Sequence, residues 1–224
     1  MYQLKKKLLL IALSGILVFA GCASLNKTKK GAIIGTAAGA GMGAVIGKAT
    51  GNTALGAIIG AAVGGTAGAL IGNKMDKQAE QIKDAVPDAK VIRVGEGIVV
   101  EFSSSVLFAF DKSNLSNDAK SNLDKLVTVL NTYPDTDIEI QGHTDSKGSK
   151  SYNQNLSVQR ASAVSSYLIN KNVTSRRLSV IGFGEMLPKY LNDNDDGRDK
   201  NRRVEFLIAA NEKMKADAKL QSGQ

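Results

Sequence analysis

Asp145, Asn153 and Arg160 have the types and spacing to hold a charged ligand. They sit in Gly142-His143-Thr144-Asp145-Ser146-Lys147-Gly148 and in Tyr152-Asn153-Gln154-Asn155-Leu156-Ser157-Val158-Gln159-Arg160-Ala161. A predicted strand over 138–141 runs into Gly142 and stops at the polar loop that carries Asp145. A helix follows over 152–170, because Ser151 and Gln154 have the S-x-x-Q spacing of a capping box and place its start near Tyr152. At about 100° per residue, Tyr152, Leu156, Ala163, Val164, Tyr167 and Leu168 share one half of the helical wheel, and Asn153, Ser157 and Arg160 fall inside that half. A guanidinium in an apolar sector is costly unless paired, and Asp145 is the expected partner. Two chemistries fit. One is a structural Asp–Arg pair tying loop to helix. The other is a zwitterion receptor in which Asp145 accepts from an ammonium, Arg160 grips a carboxylate with its planar fork, and Asn153 adds hydrogen bonds.

Other chemistry finds little support. His143 is the only histidine and Cys22 the only cysteine, so no zinc set can be assembled. No G-x-S-x-G frames a nucleophile, so His143 is read as structural at the strand end. Asp193-Asn194-Asp195-Asp196-Gly197 resembles a calcium loop, but glycine stands fifth and Val204 holds the twelfth position in place of glutamate. Gly182-Phe183-Gly184 lacks the lysine and hydroxyl of a phosphate loop. No catalytic residue, metal or cofactor is expected.

The pattern G-H-T-D-x-x-G-x(4)-N-x-x-L-S-x-x-R-A recurs with G-F-G-E-x-x-P at 182–188, G-R-x-x-N-R-R-V-E at 197–205 and L-F-x-F-D at 107–111. Together they closely resemble the OmpA-like peptidoglycan-binding domain over roughly 90–210. The resemblance implies that Asp145 and Arg160 grip the free amino-acid head of diaminopimelate in the stem peptide. It implies a site completed by Thr144, Asn153, Leu156, Asp111 and Arg203, with Arg202 or Arg203 packing near Asp145 or Asp111.

The 224 residues carry a net charge of +8, unevenly spread. Six lysines and no acids precede residue 31, whereas from residue 73 onward 22 basic and 21 acidic side chains nearly balance. A nucleic-acid partner would need a basic stripe on the folded part, and none is evident. Residues 1–21 read as a signal peptide: Lys5–Lys7, an apolar run over 8–19, then small residues ahead of Cys22. Phe19-Ala20-Gly21-Cys22 looks like a bacterial lipoprotein processing box, which makes Cys22 a lipidation site and 22–30 a lipidated linker. Ala23, in place of an aspartate, implies outer-membrane sorting.

Glycines stand at 31, 35, 39, 43, 47 and 51, then at 56, 60, 64, 68 and 72. In helices this period makes a glycine ridge that permits close crossing. Residues 31–72 are therefore read as a two-helix glycine-zipper hairpin, each arm about 25 Å long against a hydrocarbon core of about 30 Å. The hairpin resembles the glycine-zipper segments ahead of OmpA-like domains in some lipoproteins, and homo-oligomer formation along the glycine faces is a further expectation. Two spans return the chain to the Cys22 side, which places the C-terminal domain in the periplasm.

Residues 73–89 read as a charged, solvated spacer helix. The domain over 90–210 should open on a β-hairpin (91–94, 98–102). A helix capped by Ser116 then buries Leu123, Leu126, Val127 and Leu130, the Asp145 strand and Arg160 helix follow, and strands form over 178–181 and 203–208. Asn172 suits a left-handed cap. Residues 211–224 read as a tail. The fold class is α+β, a β/α/β/α/β sandwich. The expected function is noncatalytic tethering of a membrane to peptidoglycan. The alternatives are a glycine-zipper oligomeric assembly, such as a pore or secretion component anchored to the wall by this domain, and a cell-wall hydrolase, which the absence of catalytic groups disfavours.

Overall fold

The computed structural model describes residues 65–109 and 111–223. The segments read in sequence as signal peptide, lipidated linker with Cys22, and glycine-zipper hairpin lie, up to residue 64, outside the described residues. A five-stranded sheet has the order β1-β2-β5-β3-β4. Its strands are β1 (Lys90–Val94), β2 (Gly97–Ser103), β3 (Thr136–His143), β4 (Leu178–Gly184) and β5 (Arg203–Ala210). Neighbours are antiparallel except β3 and β4. The β1–β2 hairpin pairs Val94 with Gly97, and Gly95 takes the positive φ of 56° that so tight a turn needs.

The parallel pair requires a crossover. Helix α4 (Lys150–Asn170) supplies it and packs on both strands. Asn172 follows the helix at a φ of 67°, the left-handed stop its side chain tolerates. Between β2 and β3 lie the short α2 (Ser104–Leu107) and α3 (Asn117–Thr132). Ser116 caps α3 by accepting from the Ala119 amide at 3.0 Å, and Leu123, Leu126 and Leu130 are fully buried, as the spacing predicts. Phe102 and Phe206 meet edge to face at 5.6 Å under these helices.

Two segments differ from expectation. Residues 73–85 are no solvated spacer: they belong to α1 (Gly65–Ala85), which packs on α3, β1 and β2. Ala67, Ile71, Met75, Ala79 and Ile82 recur every three or four residues and are buried in the main core. Lys74, Asp76, Lys77, Glu80, Lys83 and Asp84 are all exposed, so the charges that suggest a spacer are only its outer face. Gly65–Gly72, assigned in sequence to the second arm of the hairpin, continues into this helix without a break. Nor is 211–224 a loose tail. Asn211 caps α6 (Glu212–Gln221) by accepting from the Met214 amide at 3.0 Å, and Met214 and Ala218 pack the helix onto α1. Among the described residues, no helix is long and apolar enough to cross a membrane.

Candidate functional site

The site forms where β3 ends, α4 begins and α5 (Asp195–Asn201) leads into β5. Glycines let α4 lie directly on the strands. A Cβ at Gly142 would stand 2.1 Å from the Ser157 carbonyl oxygen, and one at Gly182 would stand 2.5 Å from Ser157 Oγ and Val158. Only glycine allows that approach. Ser157, buried at the contact, donates to the Gln154 carbonyl and accepts from the Gly184 amide at 2.9 Å. This brings the polar stripe of α4 against the loop that carries Asp145. The helix starts two residues earlier than the capping-box spacing predicts. Gly148 turns at a φ of 101°, Ser149 caps by accepting from the Tyr152 amide at 3.2 Å, and Gln154 donates instead to the Gly182 carbonyl at 2.7 Å.

A cleft of about 870 Å³ opens there, with Asp111, Asp145, Tyr152, Leu156, Arg160 and Arg202 in its walls. The Asp145 carboxylate is almost fully buried. One oxygen accepts from the Lys147 amide at 2.9 Å and the other from Arg202 Nη1 at 2.5 Å. The Thr144 hydroxyl and Asn153 Nδ2 both donate to the Asp145 carbonyl, at 2.9 and 3.3 Å, and Asn153 also donates to Glu185 at 2.6 Å. Thr144 and Asn153 thus hold the Asp145 backbone in place. Half-buried Leu156 supplies apolar wall.

Arg160 is also in the cleft, only 4% exposed, but the expected ion pair with Asp145 is not formed. Its Nε donates to the Lys112 carbonyl at 3.0 Å and its Nη1 to Ser104 at 3.5 Å, with the guanidinium 5.2 Å from the Phe108 ring centroid. Among the described residues no carboxylate stands at ion-pair distance from it, and its Nη2 has no hydrogen-bond partner. Burial pushes its pKa down, opposed by the charges of Asp111 and Asp145. Asp111 takes a φ of 58° and accepts from the Tyr152 hydroxyl, which raises the phenol's pKa.

Arg203, expected in the site, is not there. It is 2% exposed and pairs with Glu205 at 2.6 Å, and it donates to the Asn201 and Leu187 carbonyls. Its neighbour Arg202 does the predicted work beside Asp145 and reaches Asp199 at 2.6 Å as well. Strand alternation could have separated them. Val204 and Phe206 point into the helix-covered core, so Arg202 falls on their side and Arg203 falls with Glu205 on the other. Sequence reasoning also missed the rim residues Asp195, Asp196 and Asp199. The segment that mimics a calcium loop is a helix start, capped by Asn194 accepting from the Gly197 amide at 2.8 Å. No group of His, Cys, Asp and Glu able to hold a metal occurs among the described residues. His143 is buried at the end of β3, stacked 5.4 Å from Phe183, and neither ring nitrogen has a hydrogen-bond partner among the described residues.

The cleft therefore offers a buried guanidinium with a free edge beside a carboxylate whose oxygens keep spare lone pairs. Such a pair can receive a carboxylate and an ammonium borne by one ligand.

Residues 107–202 match the OmpA family model, and residues 4–76 match the YMGG-like Gly-zipper model. The chain is 33% identical over 217 residues to probable lipoprotein YiaD of Escherichia coli, covering 92% of this chain and 99% of that one. It is 36% identical over 101 residues to the peptidoglycan-associated lipoprotein of Pasteurella multocida, covering 45% of this chain and 67% of that one. A 41% identity over 136 residues links it to photosystem I P700 chlorophyll a apoprotein A2 of Gloeobacter violaceus. That match takes 58% of this chain but spans only 16% of the relative, so the domain also occurs in far larger proteins. Among solved structures, a putative MotB-like protein from Desulfovibrio vulgaris superposes with a TM-score of 0.58 at 23% identity, over 62% of this chain and 93% of that one, a likeness of fold. With a full-length relative and both family models in sequence order, this chain belongs to the OmpA family and carries a YMGG-like Gly-zipper segment ahead of its OmpA domain.

Proposed function

We infer that the protein binds peptidoglycan noncovalently through diaminopimelate and tethers a membrane to the cell wall, without catalysis. One observation carries this reading: Arg160 is buried in an open cleft beside Asp145 with no carboxylate partner among the described residues. A buried guanidinium is expensive to leave uncompensated. Diaminopimelate, at the end of its side chain, bears an ammonium and a carboxylate on one carbon. The carboxylate meets the free edge of Arg160 and the ammonium meets Asp145, with Asp111 adding negative charge nearby. Similarity to a peptidoglycan-associated lipoprotein supports the polymer, and similarity to a probable lipoprotein supports lipid attachment. Cys22 is then the acylated residue, the outer membrane the anchoring membrane, and the domain periplasmic. The YMGG-like Gly-zipper match favours a second, compatible reading in which the anchored chains self-associate through that segment.

Sedimentation with purified sacculi tests the site. Each charge-assisted contact contributes roughly 1.5–3 kcal/mol, so Asp145→Asn or Arg160→Ala should weaken binding by about ten- to a hundred-fold. Arg160→Lys keeps the charge, loses the fork and should be impaired too. Thermal melting of the same variants guards against unfolding. Well-folded Asp145→Asn and Arg160→Ala proteins that sediment like the parent would overturn the reading.

A further inference from the structure

A second recess, of about 320 Å³, adjoins the cleft. The two share Asp111, Tyr152 and Leu156, and the hydrogen bond from the Tyr152 hydroxyl to Asp111 stands between them. Ser113, Asn114, Asn155 and Gln159 line the recess. None of these four side chains hydrogen-bonds to a described residue, whereas Asn153, Gln154, Ser157 and Arg160, on the side of α4 that meets the strands and the cleft, all have partners. Asn155 and Gln159, four residues apart, present their amides on one face of α4. Both are exposed.

The chemistry of the recess differs from that of the cleft. Each carboxamide offers a donor and an acceptor on one planar group, the same pair that a peptide bond displays. Charge is sparse there, with only Asp111 and Lys112 contributing. The recess thus suits an uncharged hydrogen-bonding chain, whereas the cleft suits a zwitterion. In a stem peptide the zwitterion of diaminopimelate ends a side chain, and the main chain continues from it as amides.

We propose that the recess lined by Asn155, Gln159, Ser113 and Asn114 is a second subsite that holds the peptide amides flanking diaminopimelate. It rests on the zwitterion reading of the cleft and extends it: the protein selects diaminopimelate within a peptide over the free amino acid. The recess selects for the amide-linked main chain, and the Asp145–Arg160 cleft for the zwitterionic head.

Calorimetry on the full-length protein tests this with two probes, free meso-diaminopimelate and the tripeptide L-alanyl-γ-D-glutamyl-diaminopimelate. The parent should bind the tripeptide at least tenfold more tightly than the free amino acid. The double variant Asn155→Ala/Gln159→Ala should lose that preference while its affinity for free diaminopimelate stays within about twofold, which also reports an intact fold. A double variant that keeps the preference, a double variant that loses both ligands, or a parent that binds both ligands equally would overturn the second subsite and leave the cleft standing. A parent that binds neither ligand would remove the zwitterion reading, and the subsite with it.

Discussion

His143 illustrates how a single buried side chain ties the site to pH. Its ring is 1% exposed, stacks on Phe183 and finds no hydrogen-bond partner, and its backbone leads directly into Thr144 and Asp145. Burial, then the positive charges of Arg203 and Lys189, hold its pKa well below 6.5. The unfolded chain therefore takes up this proton before the folded one does, and the stability that neutral His143 allows is full above about pH 6.5 and lost as pH falls through the lower folded value. His143→Phe keeps the stack and removes the titration, so denaturant unfolding should show a flatter stability profile below about pH 6.5 than the parent shows. An unchanged slope would assign the acid sensitivity to other groups. The same face of the sheet shows why Arg203 is structural. Arg203 and Glu205 are each 2% exposed at the side chain, and Lys189 stands 3.8 Å from Glu205 and 2.5 Å from Glu101. This enclosed charge set holds the 187–201 region from which Arg202 reaches the cleft.

Helices α1 and α6 belong to the fold as fully as the strands do. Ile71 is fully buried, so Ile71→Ala should cost about 2–5 kcal/mol, read as a lower melting temperature, while a change at exposed Thr66 should cost almost nothing. Equal melting of the two variants would return Gly65–Gly72 to the glycine-zipper hairpin to which its sequence assigns it. Several elements were legible in sequence because their signals are local: the Ser116 cap and leucine spacing of α3, the glycine turn of the β1–β2 hairpin, the left-handed Asn172. α1 was obscured because its apolar stripe is one residue wide and six charges surround it. α6 was obscured because it buries only Met214 and Ala218. The site was legible as residue types, since Asp145 and Arg160 do share one cleft. Their partners were not. Arg160 bonds to a carbonyl 48 residues away and Asp145 to an arginine 57 residues away, contacts that only the tertiary fold defines.

At the scale of the whole molecule, the Gly-zipper match reaches residue 76 and therefore overlaps α1, whose Ala67 and Ile71 are buried in the domain core. A membrane arm containing 65–72 would have to withdraw those side chains from the core, so the end of the Gly-zipper match and the start of the folded domain share one helix. In the proposed arrangement Cys22 supplies the membrane anchor, and Cys22→Ala should abolish metabolic labelling with a fatty acid. Label retained in that variant would contradict the lipid anchor. The proposed recognition of the zwitterionic end of diaminopimelate by the cleft can be tested directly on the polymer side. Acetylating the free amines of purified sacculi removes the ammonium and leaves the carboxylate and the glycan untouched. Cosedimentation of the parent protein with native and acetylated sacculi should show at least tenfold weaker binding to the acetylated wall, whereas equal binding to both would contradict the account.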